Sequence, residues 1–313
     1  MGMRRNPEDL FELSPAAPDI SAAPMLLYLE GFIDAGNAGR LLAEHLLRAF
    51  SHEIIARFDV DRLIDYRSRR PLMTYDDNRW ESYDPPELAL HLLRDPAERP
   101  FLLLTGPEPD HEWDLFTEAV MAIAARLEAG PAISFLGIPA GMPHTRPLGV
   151  IAHATREELL TGYQRLPSRI QVPGSAPALI ELRFGEAGRD ALGFAVQVPH
   201  YLAQAVYPPA ALALLGAMTT ATGLDLPDTD LREAAERTNE AIERQVAESA
   251  EVGELVRALE QQYDTATAEA ENPVSGLLAE GEAMPTADEL AAQFERFLAE
   301  NQDRTAPPGS PEH

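Results

Sequence analysis

"AISFLGIPA", residues 132–140, followed at once by "GMPHTRPLG", residues 141–149, is the passage on which the fold turns. The first stretch is apolar almost throughout and strand-sized, so it reads as a strand buried on both faces. The second sets His144, Thr145 and Arg146 between two prolines. A stiff polar loop leaving a buried strand is the signature of an α/β sheet, whose crevices open at the carboxyl ends of strands. The pattern recurs. "PMLLYLEGF" (24–32) runs on to Asp34 and Asn37, "RPFLLLTGPEP" (99–109) carries Glu108 and runs on to Trp113, and "ALGFAVQVPH" (191–200) ends at His200 and Tyr201. "HEIIARFDV" (52–60) and "GVIAHAT" (149–155) read as further strands.

Helical segments separate these runs. "DAGNAGRLLAEHLLRAF" (34–50) sets Leu41, Leu42, His45, Leu46 and Ala49 on one side, and "DHEWDLFTEAVMAIAARLEAG" (110–130) is strongly amphipathic and closed by Gly130. "YDPPELALHLL" (83–93) reads as a helix opened by Asp84 and Pro85, with Glu87 completing a capping-box-like pattern. "YRSRRPLMTYDDNRW" (66–80) is too polar for core and reads as a long excursion or a hairpin. Strands alternating with helices predict an α/β protein with a largely parallel sheet.

The expected organisation is a flexible N-terminal arm over 1–22 and an α/β domain over 23–226. A charged helical extension (227–264), a linker (265–285), a terminal helix (286–300) opened by a Thr286/Glu289 capping box, and a disordered tail (301–313) follow. The α/β domain closes with the buried helix "PPAALALLGAMTTATGLDL" (208–226), ending near Gly223. The extension keeps a heptad-like alternation spoiled by Thr238, Gln245 and Ser249, a weak coiled-coil or hairpin signal.

Composition excludes several chemistries. The 313 residues contain no cysteine, so disulfides, thiol nucleophiles and thiolate metal sites are absent together, and a cytoplasmic location is the default. All 25 cations are arginine. Without lysine there is neither a P-loop nor a Schiff-base nucleophile. The net charge of −26 argues against nucleic acid and against an anionic membrane surface. From Asp225 onward there are 22 acidic and 6 basic residues, so the carboxyl-terminal part holds most of that charge. No apolar run reaches the length of a membrane span, and no apolar segment follows Arg4 and Arg5 to make a secretory signal.

Each polar residue in the expected crevice has a chemical and a structural reading. Arg146 suits a carboxylate or phosphate, with His144 beside it for proton transfer, or both residues fix an irregular turn. His200 and Tyr201 complete the same pocket if the strands are neighbours, or His200 is a satisfied structural histidine. Asp34 is a base or metal ligand, or it caps the helix that follows. Glu108 faces the crevice, whereas Trp113 packs on the sheet. "RSRR" (67–70) meets an anionic ligand or acidic partner, or is an ion-paired loop. Neither HxxxH nor HExxH spacing occurs, so no metal or cofactor is expected.

Taken together, "GFIDAGNA" (31–38), "GPEPDHEW" (106–113), "MPHTRP" (142–147), "VPHYLAQ" (198–204) and "PPAALALLGAMTTATGL" (208–224) resemble the PAC2 family, named for a proteasome assembly chaperone. The closer likeness is to its actinobacterial branch, which carries an acidic helical extension, and it covers roughly residues 24–265. The resemblance implies a three-layer α/β/α fold related to that of purine nucleoside phosphorylase, self-association into a homo-oligomer, and no established catalytic residues. Its eukaryotic and archaeal members act in proteasome assembly or bind proteasome subunits. Two functions stay open: a self-assembling, chaperone-like scaffold with a protein partner such as proteasome subunits, or a ligand-binding protein or enzyme with a nucleoside-phosphorylase-like crevice.

Overall fold

The computed structural model describes residues 6–14, 20–163 and 169–271. Strands β1 (Phe11–Leu13), β2 (Met25–Glu30), β3 (His52–Phe58), β6 (Ala89–Arg94), β7 (Pro100–Pro107), β8 (Ala132–Ala140), β9 (Val150–Ala154) and β10 (Ala191–Pro199) form one sheet. Their order is β1-β3-β6-β7-β2-β8-β10-β9, and β4 (Met73–Asp76) pairs separately with β5 (Arg79–Tyr83).

The sheet is mixed, which corrects the expectation of a largely parallel one. β7, β2, β8 and β10 run parallel, while β1, β6 and β9 each pair antiparallel with their neighbours. Strand direction is set by the connections rather than by residue type. Two antiparallel steps, β7 to β6 to β3, bring β3 back to the direction of β7. Five strands therefore end at the same edge, at Phe58, Pro107, Glu30, Ala140 and Pro199.

The central strands are buried on both faces, and alternate residues feed two cores. Met25, Leu27 and Leu29 of β2 pack with Phe116, Val120 and Ile123 of α3 (Trp113–Arg126) and Ile180 and Phe184 of α4 (Ala176–Glu186). Leu26 and Tyr28 face Leu42 and Leu46 of α1 (Ala38–Ala49) and Leu214 and Met218 of α5 (Pro208–Thr222). Helices thus cover both faces of the sheet. Gly223, at φ 67°, ends α5 in the left-handed conformation that glycine adopts without strain.

Segment 84–94 corrects a second expectation. Instead of a helix capped by Asp84 it enters β6, an interior strand between β3 and β7. Leu88, Leu90 and Leu92 face one core and Leu93 the other, a fully buried strand whose short apolar run looks the same as a helix in sequence. The arm over 1–22 is not wholly loose either, because Phe11–Leu13 pairs with β3 and Leu10 is buried. A short helix, α2 (Val60–Leu63), leads into the hairpin of β4 and β5. The hairpin turns through Asp77 and Asn78, both at positive φ as the tightest two-residue turn requires.

After α5 come two helices rather than one, α6 (Thr229–Glu248) and α7 (Ala250–Glu271). Ser249 between them is extended, and its hydroxyl accepts the Val252 amide at the start of α7. α7 runs to Glu271, past the end expected at 264. The terminal helix at 286–300 and the tail at 301–313 lie outside the described residues.

Candidate functional site

All the loops singled out from sequence leave the sheet at its carboxyl edge, but the structure gathers their residues into three groups. Asp34 is a structural hub. Its carboxylate accepts the amides of Gly39 and Arg40 at 2.9 and 3.0 Å, the amide of Gly137 at 2.9 Å, and the Tyr28 hydroxyl at 3.2 Å. It thereby serves amides at the start of α1 that have no partner within the helix, where a negative charge also meets the helix dipole favourably. Burial, and then the neighbouring Asp34 carboxylate, push the Tyr28 phenol well above its ordinary range. Asn37 takes a positive φ of 52° and donates to the Ala205 carbonyl. Gly36 exchanges backbone bonds with Ala203 and Tyr207, so the 34–37 turn is stitched to the segment after His200.

Glu108 and Trp113 lie with α3 and α4. The buried Glu108 carboxylate accepts the Ala176 amide at 2.6 Å, the first of α4, and the Trp113 indole donates to the Pro109 carbonyl at 2.5 Å. Trp113 also packs against the apolar core, so the packing reading of that residue fits its geometry.

The remaining residues converge. The Tyr201 hydroxyl lies 2.8 Å from both the backbone nitrogen and Nδ1 of His144, and the two rings meet edge to face. His200 also sits edge to face with Tyr201, with ring centroids 5.5 Å apart. Both ring nitrogens of His200 are shut away from solvent without a hydrogen bond of ordinary geometry. Burial lowers the pKa of both histidines, opposed at His144 by Glu243 and Glu260 and at His200 by the Ala140 carbonyl.

Arg146 is already occupied. Its Nε and Nη2 grip the Asp264 carboxylate at 2.8 and 2.7 Å, and Nη1 reaches Glu260 at 3.3 Å. Thr145 donates to the same Glu260 oxygen at 2.5 Å, and the Tyr263 hydroxyl donates to the Pro147 carbonyl at 3.5 Å. The bond to Asp264 raises the Arg146 pKa, and Arg146 in turn lowers that of Asp264. α7 therefore lies across the "MPHTRP" loop. Glu260, Tyr263 and Asp264 went unnoticed in the sequence. The signal available was the spacing of Glu260 and Asp264, four apart and so on one helix face.

Within "RSRR", Arg69 pairs with Asp110 at 2.6 Å and also donates to the Glu30 carbonyl, the ion-paired alternative. Arg67 and Arg70 are exposed. Among the described residues no group of three or more acidic or histidine side chains is placed to hold a metal ion, and no helix is long and apolar enough to cross a membrane. A depression of about 560 Å³ lies not here but at the opposite sheet edge, lined in part by His52, Arg94 and Asp95.

A sequence model of the PAC2 family matches residues 28–246. A Mycobacterium tuberculosis protein of unknown function is 44% identical, superimposes with a TM-score of 0.81, and is matched over 87% of this chain and 95% of its own. A proteasome-assembly chaperone homologue from the same organism is 27% identical, with a TM-score of 0.68 over 74% of this chain and 99% of its own. An archaeal proteasome activator from Pyrococcus furiosus, 18% identical with a TM-score of 0.55 over 75% of this chain and 97% of its own, shares the fold. No functionally curated protein matches the sequence.

Proposed function

The chain belongs to the PAC2 family, and we propose that it acts there as a self-assembling, chaperone-like interaction protein. The observation that carries this reading is the β4–β5 hairpin. All of its strand residues are exposed, and they include Met73, Tyr75, Trp80 and Tyr83, with Leu72 just before them at 75% exposure and Trp80 at 64%. Tyr75 and Trp80 pack edge to face at 5.0 Å, covering little more than each other. A two-stranded hairpin is only marginally stable alone, and an apolar patch of this kind marks a surface for another protein. A second copy of the chain is the occupant proposed, forming a homo-oligomer in the cytoplasm.

By contrast, Asp34, Glu108 and Arg146 all spend their charges on the chain's own amides and ion pairs. A proteasome link rests on the relatives, of which one is a proteasome-assembly chaperone homologue and another a proteasome activator. The test has two arms. Light scattering on the purified protein should give a mass above one chain, and affinity capture at native expression and low salt should enrich proteasome subunits. A monomer that captures none overturns the reading.

A second reading is favoured by one observation, the meeting of His144, Tyr201 and His200 beside Arg146. It is a small-ligand site in a nucleoside-phosphorylase-like architecture, with Arg146 for an anion and His144 or His200 for proton transfer. A small molecule retained through gentle purification, seen by native mass spectrometry and lost in H144A/R146A, would support it.

A further inference from the structure

Resting on that second reading, we infer that Thr145 and Arg146 form an oxyanion-binding site whose present occupants are the chain's own carboxylates, Glu260 and Asp264 of α7. The ligand that fits is a small molecule bearing a phosphate or carboxylate group. Asp264 meets the guanidinium side-on through two nitrogens, the geometry by which arginine binds carboxylate and phosphate groups. Glu260 receives the Thr145 hydroxyl and the third guanidinium nitrogen at one oxygen. These donors, from two adjacent residues, therefore converge on anionic oxygens supplied from more than a hundred residues away.

The surroundings point the same way. The backbone of the donor loop is fixed by Tyr201, which accepts the His144 amide. The same hydroxyl engages His144 Nδ1, and both ring nitrogens of His200 are buried, next to the Ala140 carbonyl. A donor loop held in place in this way loses little freedom when an anion binds.

The occupant is removable. The ion pairs of Arg146 are partly exposed, hence modest and weakened by salt. α7 follows α6 across the extended Ser249, and it buries Val252, Val256 and Leu259 while Glu260 and Asp264 reach the loop. A competing anion must displace carboxylates held at high effective concentration, so the intact chain binds it weakly and a chain lacking them binds it well.

The experiment uses inorganic phosphate as probe, titrated calorimetrically at fixed ionic strength against a chloride control. E260A/D264A should bind phosphate at least tenfold more tightly than the unaltered chain. Adding R146A to it should abolish binding, and R146K should recover only part, since lysine lacks the fork. In the unaltered chain, phosphate but not chloride should raise amide hydrogen exchange over 250–271. If E260A/D264A is folded by circular dichroism and binds phosphate no better than E260A/D264A/R146A, the inference is overturned. Phosphate binding is read without turnover or a retained metabolite, so the wider ligand-site reading can fail while this inference stands.

Discussion

The carboxylate of Asp34 accepts the amide of Gly137, 103 residues further along the chain, while the same oxygen accepts the amide of Gly39. One side chain thus joins the start of α1 to the middle of β8. The junction is tight: a Cβ on Gly137 would stand 2.0 Å from the Ala35 carbonyl oxygen. D34A should therefore cost about 2–3 kcal/mol of stability, as loss of charge-assisted bonds and of a helix-start acceptor would. A urea midpoint equal to that of the unaltered chain would show that Asp34 is kept for chemistry instead. G137A should destabilise too, since backbone must move to admit the methyl group.

Asp95 plays a comparable part at the opposite edge. Its side chain is fully buried and accepts the amides of Ala97, Arg99 and Asp225 as well as the Arg99 guanidinium. Burial acts to raise its pKa, but the amides of Asp225 and Arg99 and the Arg99 charge outweigh it, and the net shift is downward. A carboxyl lowered in the folded state stabilises above its unfolded value and loses that contribution as pH falls through the folded one. D95A should cost about 3 kcal/mol near pH 7 and progressively less in strong acid. A constant penalty at every pH would contradict this account.

His91 sets a different pH limit. Burial first, then His52 and Arg57, lower its pKa to about 4. The unfolded chain takes up that proton near pH 6.5, whereas the folded chain resists it until about pH 4. Stability is therefore full above pH 6.5 and falls as the pH drops towards 4, by about 2 kcal/mol once residual solvent screening is allowed for. His144 and His200, lowered in the same direction, add to the slope. H91Q should flatten part of that decline in chemical denaturation measured between pH 4 and 7.

The hairpin gives a prediction about assembly. Replacing Tyr75 and Trp80 together by serine should shift the protein towards the single-chain mass in light scattering. The thermal midpoint measured at a concentration where both proteins are monomeric should change little, because these side chains cover almost nothing in their own chain. An unchanged mass would move the self-association surface elsewhere.

Much of the sheet was legible because the interior strands are apolar on both faces. "FLLL" at 101–104 and "MLLYL" at 25–29 admit few readings, and the positive-φ turn of the hairpin agrees with the polar excursion read there. Segment 84–94 misled because Asp84, Pro85 and Glu87 carry helix-start chemistry while the six residues of β6 are too short to show a period. α4 was missed altogether, although Ser175 caps it and Ala176, Ile180 and Phe184 lie on its buried face. The helix break at Ser249 is written in the sequence as a capping serine, although in a heptad frame the same residue looks like a fault in a seam.

What the sequence determined by itself was local: which segments are buried, which loops are polar, where the charge lies, and that neither thiol nor lysine chemistry is available. Strand direction and the partners of the charged residues were decided only by tertiary structure. Arg146 shows the reason. A guanidinium between two prolines is suited to any carboxylate, and nothing nearby in the chain says whether the carboxylate comes from a ligand or from a helix 118 residues away. Electrostatic complementarity is short-ranged in space and indifferent to separation along the chain, so the pairing exists only once the fold has laid α7 across the loop.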